Sequence, residues 1–157
     1  MSEGLLIAIV GAAIAAVLCG IGSAIGVQMG GKAAAGVCSE KPELFGKLLI
    51  LQALPGTQGI YGFIVAILVM IRLGLLGGNA VQITTQQGWS FFGACMPIAI
   101  VGLISAIYQA KTAVSAIHMT AKQPDASAKG MTMTAMVETY AILALLASIL
   151  IVLGIAV

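Results

Sequence analysis

Only one of the five acidic residues in this 157-residue sequence lies inside an apolar run. Glu3, Glu40, Glu43 and Asp125 fall in the amino terminus or in short polar loops, whereas Glu138 is the single charge between Gly130 and Val157. A charged side chain at the centre of a bilayer costs roughly 2.5–3.5 kcal/mol on insertion scales, so a carboxylate placed there is functional by default. The structural alternative is a protonated, hydrogen-bonded carboxyl.

Helix-period spacing supplies that carboxylate with partners. Leu54, Thr57, Gln58 and Tyr61 stand at i, i+3, i+4 and i+7 and therefore share one helix face. Three of the four carry side-chain oxygen in otherwise apolar surroundings. Pro55-Gly56 falls at the same place. Proline removes a backbone donor, which leaves the Leu51 carbonyl without its usual partner and bends the helix. Irregular backbone at membrane depth is tolerated where it lines a site. Gln109 adds a second amide from the next apolar run. A carboxylate, two amides, a hydroxyl and a distorted backbone suit a small hard cation, which prefers oxygen ligands. Interhelical hydrogen bonding without an ion is the other reading of these residues. A proton needs only Glu138 and one partner. Sodium needs about five or six oxygens, by analogy with other hard cations, and the surplus of acceptors favours it.

The elements that must position these groups are membrane spans. The sequence is 61% hydrophobic and 8% charged, with a mean hydropathy of +1.14. Soluble domains carry roughly 25% charged residues, so too little charge exists here to cover a water-exposed surface. Gly4 to Gly31, Leu48 to Ile71 and Leu73 to Ala110 hold no charge at all, and Gly130 to Val157 holds only Glu138. A spanning helix needs about 20 apolar residues. The expected organisation is a single membrane domain over residues 1–157, with helices near 4–35, 45–76, 88–120 and 128–156. Ser39-Glu40-Lys41-Pro42-Glu43, a break opened by Gly77-Gly78-Asn79, and Lys122-Gln123-Pro124-Asp125 separate them. Met1-Ser2-Glu3 lacks a basic n-region, so the first run is expected to be a retained helix rather than a signal peptide.

Lys32, Lys41, Lys47, Lys111, Lys122 and Lys129 all lie near the first and third loops, and only Arg72 lies toward the other side. The positive-inside rule predicts a multi-pass cell-membrane protein with loops 1 and 3 cytoplasmic and both termini outside. Trp89, Phe91 and Phe92 suit an interfacial aromatic belt. Cys19, Cys38 and Cys95 match no metal or disulfide framework and read as packing residues. Pro97 reads as a kink and His118 as a solvated helix-end residue rather than a proton relay. No basic stripe exists for nucleic acid, and no phosphate loop or nucleophile triad is present.

The two halves resemble each other with a shift of 82 residues. Gly20-x-x-Ser23-Ala24-Ile25 falls on Gly102-x-x-Ser105-Ala106-Ile107, Lys41-Pro42-Glu43 on Gln123-Pro124-Asp125, Lys47 on Lys129, Thr57 on Thr139 and Ile60 on Ile142. The predicted fold is therefore a duplicated helical hairpin, 4–76 and 88–156, with parallel copies. Gly56 falls on Glu138, so one half alone keeps the carboxylate. Gly22, Gly26 and Gly30 in the first run and Gly102, Ala106 and Ala110 in the third allow close helix approach, either as ordinary hairpin packing or around the axis of a ring.

Leu49-Ile50-Leu51-Gln52-Ala53-Leu54-Pro55-Gly56-Thr57-Gln58-Gly59-Ile60-Tyr61-Gly62 resembles the second-helix motif of the K subunits of bacterial V-type (V/A-type) ATPases. Met136-Val137-Glu138-Thr139-Tyr140-Ala141-Ile142 resembles their fourth-helix motif, and the similarity extends over nearly the whole chain. The resemblance implies an all-α integral membrane proteolipid of four transmembrane helices that assembles into a homo-oligomeric rotor ring. In sodium-translocating members Glu138 would be the ion-binding carboxylate. Thr57, Gln58 and Gln109 would add side-chain oxygens and Leu54 a carbonyl, and Tyr61 would hold Glu138 by its hydroxyl. The implied cargo is Na+, with H+ as the alternative, and no organic cofactor. The implied partners are identical subunits, a stator membrane subunit, central-stalk subunits and lipid. No covalent reaction is expected of this chain alone. A stand-alone cation or drug exporter with one membrane glutamate, which a parallel duplication disfavours, and a structural proteolipid are the competing classes.

Overall fold

A computed structural model describes residues 2–78 and 80–157; Met1 and Asn79, parts of the expected first segment and second loop, lie outside the described residues. Five α-helices follow one another: α1 (Glu3–Cys38), α2 (Phe45–Ala53), α3 (Thr57–Arg72), α4 (Thr85–Lys122) and α5 (Ser127–Gly154). Short 3₁₀ turns at Pro42–Leu44, Leu54–Gly56, Leu75–Gly77 and Pro124–Ala126 extend or join them. α2, its turn and α3 form one run. Among the described residues four runs are long and apolar enough to cross a membrane, as the composition requires.

Several boundaries differ from the sequence reading, for local reasons. α3 stops at Arg72 rather than near 76 because Gly74 takes a left-handed conformation (φ 67°, ψ 15°). Its N–H then closes on the Ile71 carbonyl while that of Leu73 reaches Val69, a glycine stop signal. α4 starts three residues early because Thr84 and Gln87 form a reciprocal capping box. α1 runs on to Cys38, beyond which the Ser39 hydroxyl donates to the Gly36 carbonyl at 2.7 Å.

α1 packs principally on α4, with α3 against α1 and α5 against α4. The first helix of each hairpin thus lies against its counterpart. The contacts advance in the same direction along both: Gly4 meets Thr84, Gly22 meets Leu103 and Gly26 meets Ala106. The hairpins are therefore parallel. This approach is backbone to backbone. A Cβ on Gly22 would lie 2.8 Å from the Leu103 Cα, and one on Gly26 would lie 2.7 Å from the Pro55 Cβ. The stripe of small residues thus serves the joint between the hairpins.

The ends are tied by long side chains. Lys41 Nζ donates to the Ala121 carbonyl at 2.6 Å and Lys47 Nζ to the Pro124 carbonyl at 2.9 Å. Loops 1 and 3 therefore share one end, where lysines meet the carbonyl-rich end of α4 and the turn that follows it. A cavity of about 580 Å³ opens there, lined in part by Lys32, Glu40, Lys41, His118 and Lys122, and His118 is exposed. At the other end Arg72 donates to the Ile155 carbonyl and Gln87 Nε2 to the Ala156 carbonyl (2.8 Å).

Pro97 does not interrupt α4. The Ile98 N–H beside it donates to Ser148 Oγ at 3.2 Å, and the Cys19 thiol donates to the Ile98 carbonyl at 3.2 Å. Neighbouring spans thereby serve the backbone that the proline loosens. Cys19 and Cys95 are buried, Cys38 is partly buried, and all three are free. Trp89 is exposed and meets Phe92 edge-on, ring centroids 5.4 Å apart. Gly22→Leu is expected to break the hairpin joint and cost several kcal/mol, as overpacked close contacts do. Gly46→Ala, where no atom lies within 4 Å of the new Cβ, is expected to leave thermal unfolding in detergent unchanged or raise its midpoint.

Candidate ion-binding site

The site begins at the proline break. Pro55 does not open the second span. It tightens it into one 3₁₀ turn whose residues keep right-handed helical dihedrals, Leu54 at φ −51° and ψ −46° and Gly56 at φ −81° and ψ −20°. The Leu54 N–H still reaches the Ile50 carbonyl. Gly26 of α1 makes room for the proline ring, and the Ser23 hydroxyl accepts the Gly59 N–H at 2.8 Å. The start of α3 is thus held by α1 at two points, and it carries Thr57, Gln58 and Tyr61.

All six residues singled out from the sequence come together here in one connected set. Tyr61 donates its hydroxyl to Glu138 Oε1 at 2.5 Å. Gln109 Nε2 donates to Glu138 Oε2 at 3.3 Å and also to the Thr134 carbonyl at 3.3 Å. Gln58 Nε2 donates to Gln109 Oε1 at 2.5 Å. The Thr57 hydroxyl lies 3.0 Å from the Leu54 carbonyl and 3.4 Å from Gln58 Oε1. A hydroxyl has a single proton, and the shorter path takes it. Gln58 Oε1 is left as an acceptor without a full donor.

The Leu54 carbonyl is more engaged than the sequence suggests, because it receives the Thr57 N–H as well as the Thr57 hydroxyl. A cation at this carbonyl would displace the hydroxyl proton, turning the Thr57 lone pairs toward the same centre.

Burial grades across the site. Gln58 and Gln109 have no exposed surface, whereas Glu138, Thr57 and Tyr61 are partly buried. The carboxylate stands at the rim between α3 and α5, and the amides form the floor. Among the described residues no three of His, Cys, Asp or Glu come together. The donor set is oxygen from one carboxylate, two amides, a hydroxyl and a carbonyl, which is hard-cation chemistry.

Ser105 also belongs to this set, although sequence reasoning does not single it out as a site residue. Its hydroxyl, in a residue 5% exposed, donates to the Val137 carbonyl at 3.2 Å and accepts Gln58 Nε2 at 3.4 Å. Both Gln58 amide protons are therefore spoken for, by Gln109 and Ser105, which turns Oε1 toward Thr57. The one signal in the sequence is the serine's repeat counterpart, Ser23, which serves a different bond.

The family model for the ATP synthase C subunit matches the chain twice, at residues 10–69 and 92–151. The chain belongs to the ATP synthase C-subunit family. The two matches begin 82 residues apart, the same shift that relates the halves of the sequence. The V-type sodium ATPase subunit K of Enterococcus hirae is 48% identical over 96% of this chain and 93% of its own length. The A-type ATP synthase subunit K of Methanocaldococcus jannaschii is 36% identical over 99% of this chain and 66% of its own. The 16 kDa proteolipid of the V-type proton ATPase of Nephrops norvegicus is 29% identical over 74% and 70%.

In this family member the floor of the site makes a test of its own. Ser105→Ala leaves a buried Gln58 N–H unpaired, which is expected to cost about 1–3 kcal/mol. Ser105→Thr keeps the hydroxyl and places its methyl toward a groove of about 270 Å³ that Ser105 lines. Thermal unfolding in detergent should rank wild type close to the threonine variant, with alanine below both.

Proposed function

We propose that this chain is the ion-carrying proteolipid of a rotary ATPase rotor ring, binding Na+ at Glu138 and moving it as the ring turns. The observation that carries the reading is the hydrogen-bonded set that ends on one rim carboxylate and offers more acceptors than a proton requires. Glu138 contributes the charge, Gln58, Thr57 and Gln109 the side-chain oxygens, and Leu54 a carbonyl. Gln109 Oε1 accepts one proton from Gln58 and keeps a second lone pair for the ion. Tyr61 holds the carboxylate in place from outside. The similarity to a relative named as a sodium ATPase subunit supports the choice of ion.

An ionised Glu138 facing lipid is costly, and a bound cation neutralises it. The loaded subunit is then free to pass the bilayer, while the empty one stays at a polar surface. A stator membrane subunit with a basic group and two half-channels would exchange the ion, and central-stalk subunits would couple the ring's rotation to ATP chemistry elsewhere. The lysine-rich end carrying loops 1 and 3 would face the cytoplasm and receive the stalk, with both termini outside. A proton as cargo is the second reading, because Glu138 with Tyr61 alone would suffice for it.

A carbodiimide reacts with a protonated carboxyl, so bound sodium is expected to slow labelling of Glu138 in the purified ring near neutral pH, with potassium giving no protection. Labelling rates that ignore sodium at every concentration would make this a proton ring. Glu138→Gln is expected to abolish ion transport in reconstituted vesicles while rings still form on native mass spectrometry. A variant that fails to assemble would make the carboxyl structural.

A further inference from the structure

Ser105 and Gln109 stand four residues apart on α4, so their side chains share one face and reach the same neighbour, Gln58. The hydrogen bonds among the three run in one direction only. Gln109 gives its amide protons to the Thr134 carbonyl and to Glu138 Oε2; turned over, it would set its oxygen against both. Its oxygen is therefore fixed toward Gln58. The Ser105 hydroxyl has one proton and gives it to the Val137 carbonyl at 3.2 Å, so its oxygen can only accept from Gln58. Gln58 thus meets an acceptor on each of two sides and points Nε2 at both, which leaves Oε1 facing Thr57.

One acceptor fixes where the amide nitrogen lies, and two fix how the amide plane is turned. With Gln109 alone the amide would pivot on that single bond, and its second N–H would turn to the acceptors that remain, Thr57 and Glu138. A donor there stands where a cation needs an oxygen. The bond to Ser105 is long, 3.4 Å, but Gln58 and Ser105 are both buried, and without it a buried N–H goes unpaired. Val137 precedes Glu138 on α5, so the same hydroxyl ties the Gln58 amide to the backbone beside the carboxylate.

The repeat sets this serine apart from simple packing. Its counterpart 82 residues earlier, Ser23 on α1, accepts the Gly59 N–H at 2.8 Å. Two serines at one repeat position thus converge on consecutive residues of α3, one on the backbone of Gly59 and one on the side chain of Gln58. The first sets the course of the turn, and the second sets the aim of the side chain that leaves it.

We propose that Ser105 is a positioning residue for cation selection, which holds the Gln58 carbonyl oxygen toward the ion and both amide protons away from it without touching the ion itself. The inference rests on the sodium reading of the site and adds what makes Gln58 a ligand rather than a donor. A proton on Glu138 makes no use of Gln58, so the serine bears on sodium and not on the proton.

The experiment is carbodiimide labelling of Glu138 in the purified ring over a series of sodium concentrations, read by the mass of the modified subunit. Ser105→Ala is expected to raise the sodium concentration that halves the rate by about tenfold or more, a factor that an unpaired buried N–H is large enough to supply. Its rate in sodium-free buffer should match wild type, because that rate depends on the proton at Glu138 and on access of the reagent. Ser105→Thr keeps the hydroxyl and should restore the wild-type sodium dependence. A merely structural serine would move the sodium-free rate along with the half-protecting concentration. That outcome, an unmoved alanine variant, or a threonine variant no better than alanine overturns the proposal. Ser105→Cys covers an alanine ring that does not assemble. It fills nearly the same space with a weak acceptor and is expected to shift half-protection in the same direction, so a cysteine ring with wild-type sodium dependence also overturns it. A wild-type ring that sodium does not protect defeats the sodium reading itself, and this inference with it.

Discussion

A carboxylate at membrane depth cannot be left without partners, and the arrangement around Glu138 follows from that constraint. Tyr61 and Gln109 each give it a hydrogen bond. Gln109 is then itself a buried amide that needs partners, and it finds them in Thr134 and Gln58. Gln58 in turn gives its second amide proton to Ser105. The obligation passes from α5 to α4 to α3, and the set closes only when all three spans are in register. Buried polar networks of this kind specify geometry because a half-satisfied one is worse than an apolar core.

The register comes from small residues rather than from the polar set. Lipid offers no hydrophobic drive between helices, so close packing must hold them. Gly22 and Gly26 let α1 touch the backbone of α4 and the ring of Pro55. The tightened turn at Leu54–Gly56 is therefore supported from behind, and Thr57 and Gln58 leave it at a defined angle. Duplication supplied the frame, and divergence placed chemistry in only one of its two halves. A Cβ on Gly56 would lie 3.4 Å from a methyl of Val27, so the position matching Glu138 is backed by an apolar side chain.

Much of this is legible in the sequence because the membrane simplifies the reading. Four apolar runs, one carboxylate among them and an 82-residue repeat are visible without coordinates. Helix ends are less so, since a left-handed Gly74 and the Thr84–Gln87 box act over only a few residues. The box is readable as Thr-x-x-Gln, but a polar loop beside it hides where the helix begins. Pro55 distorts the second span, and the distortion takes the form of one 3₁₀ turn. Proline forbids one hydrogen bond, but whether a helix then opens or tightens depends on what packs behind it, here a glycine on another span. Ser105 is out of reach for a related reason. A serine in a small-residue stripe reads as packing, and only the direction of its hydroxyl separates it from Ser23, which occupies the same repeat position and serves a backbone N–H instead.

The grading of burial across the site connects structure to transport. An ion fully enclosed by protein binds well and leaves slowly, whereas one held only by a surface carboxylate is poorly selected. Here the two amides are fixed in the interior, with no exposed surface, and the charge sits at the rim on a side chain with rotatable bonds. Among the described residues Tyr61 is the sole side-chain partner of Glu138 Oε1 and is itself partly buried, so an outward swing of the carboxylate needs the release of Tyr61 and of the Gln109 bond at Oε2, while Gln58 keeps its bonds to Gln109 and Ser105. In the proposed function, a site divided this way would exchange its cargo by moving one side chain, while the floor of amides stays as the three spans built it.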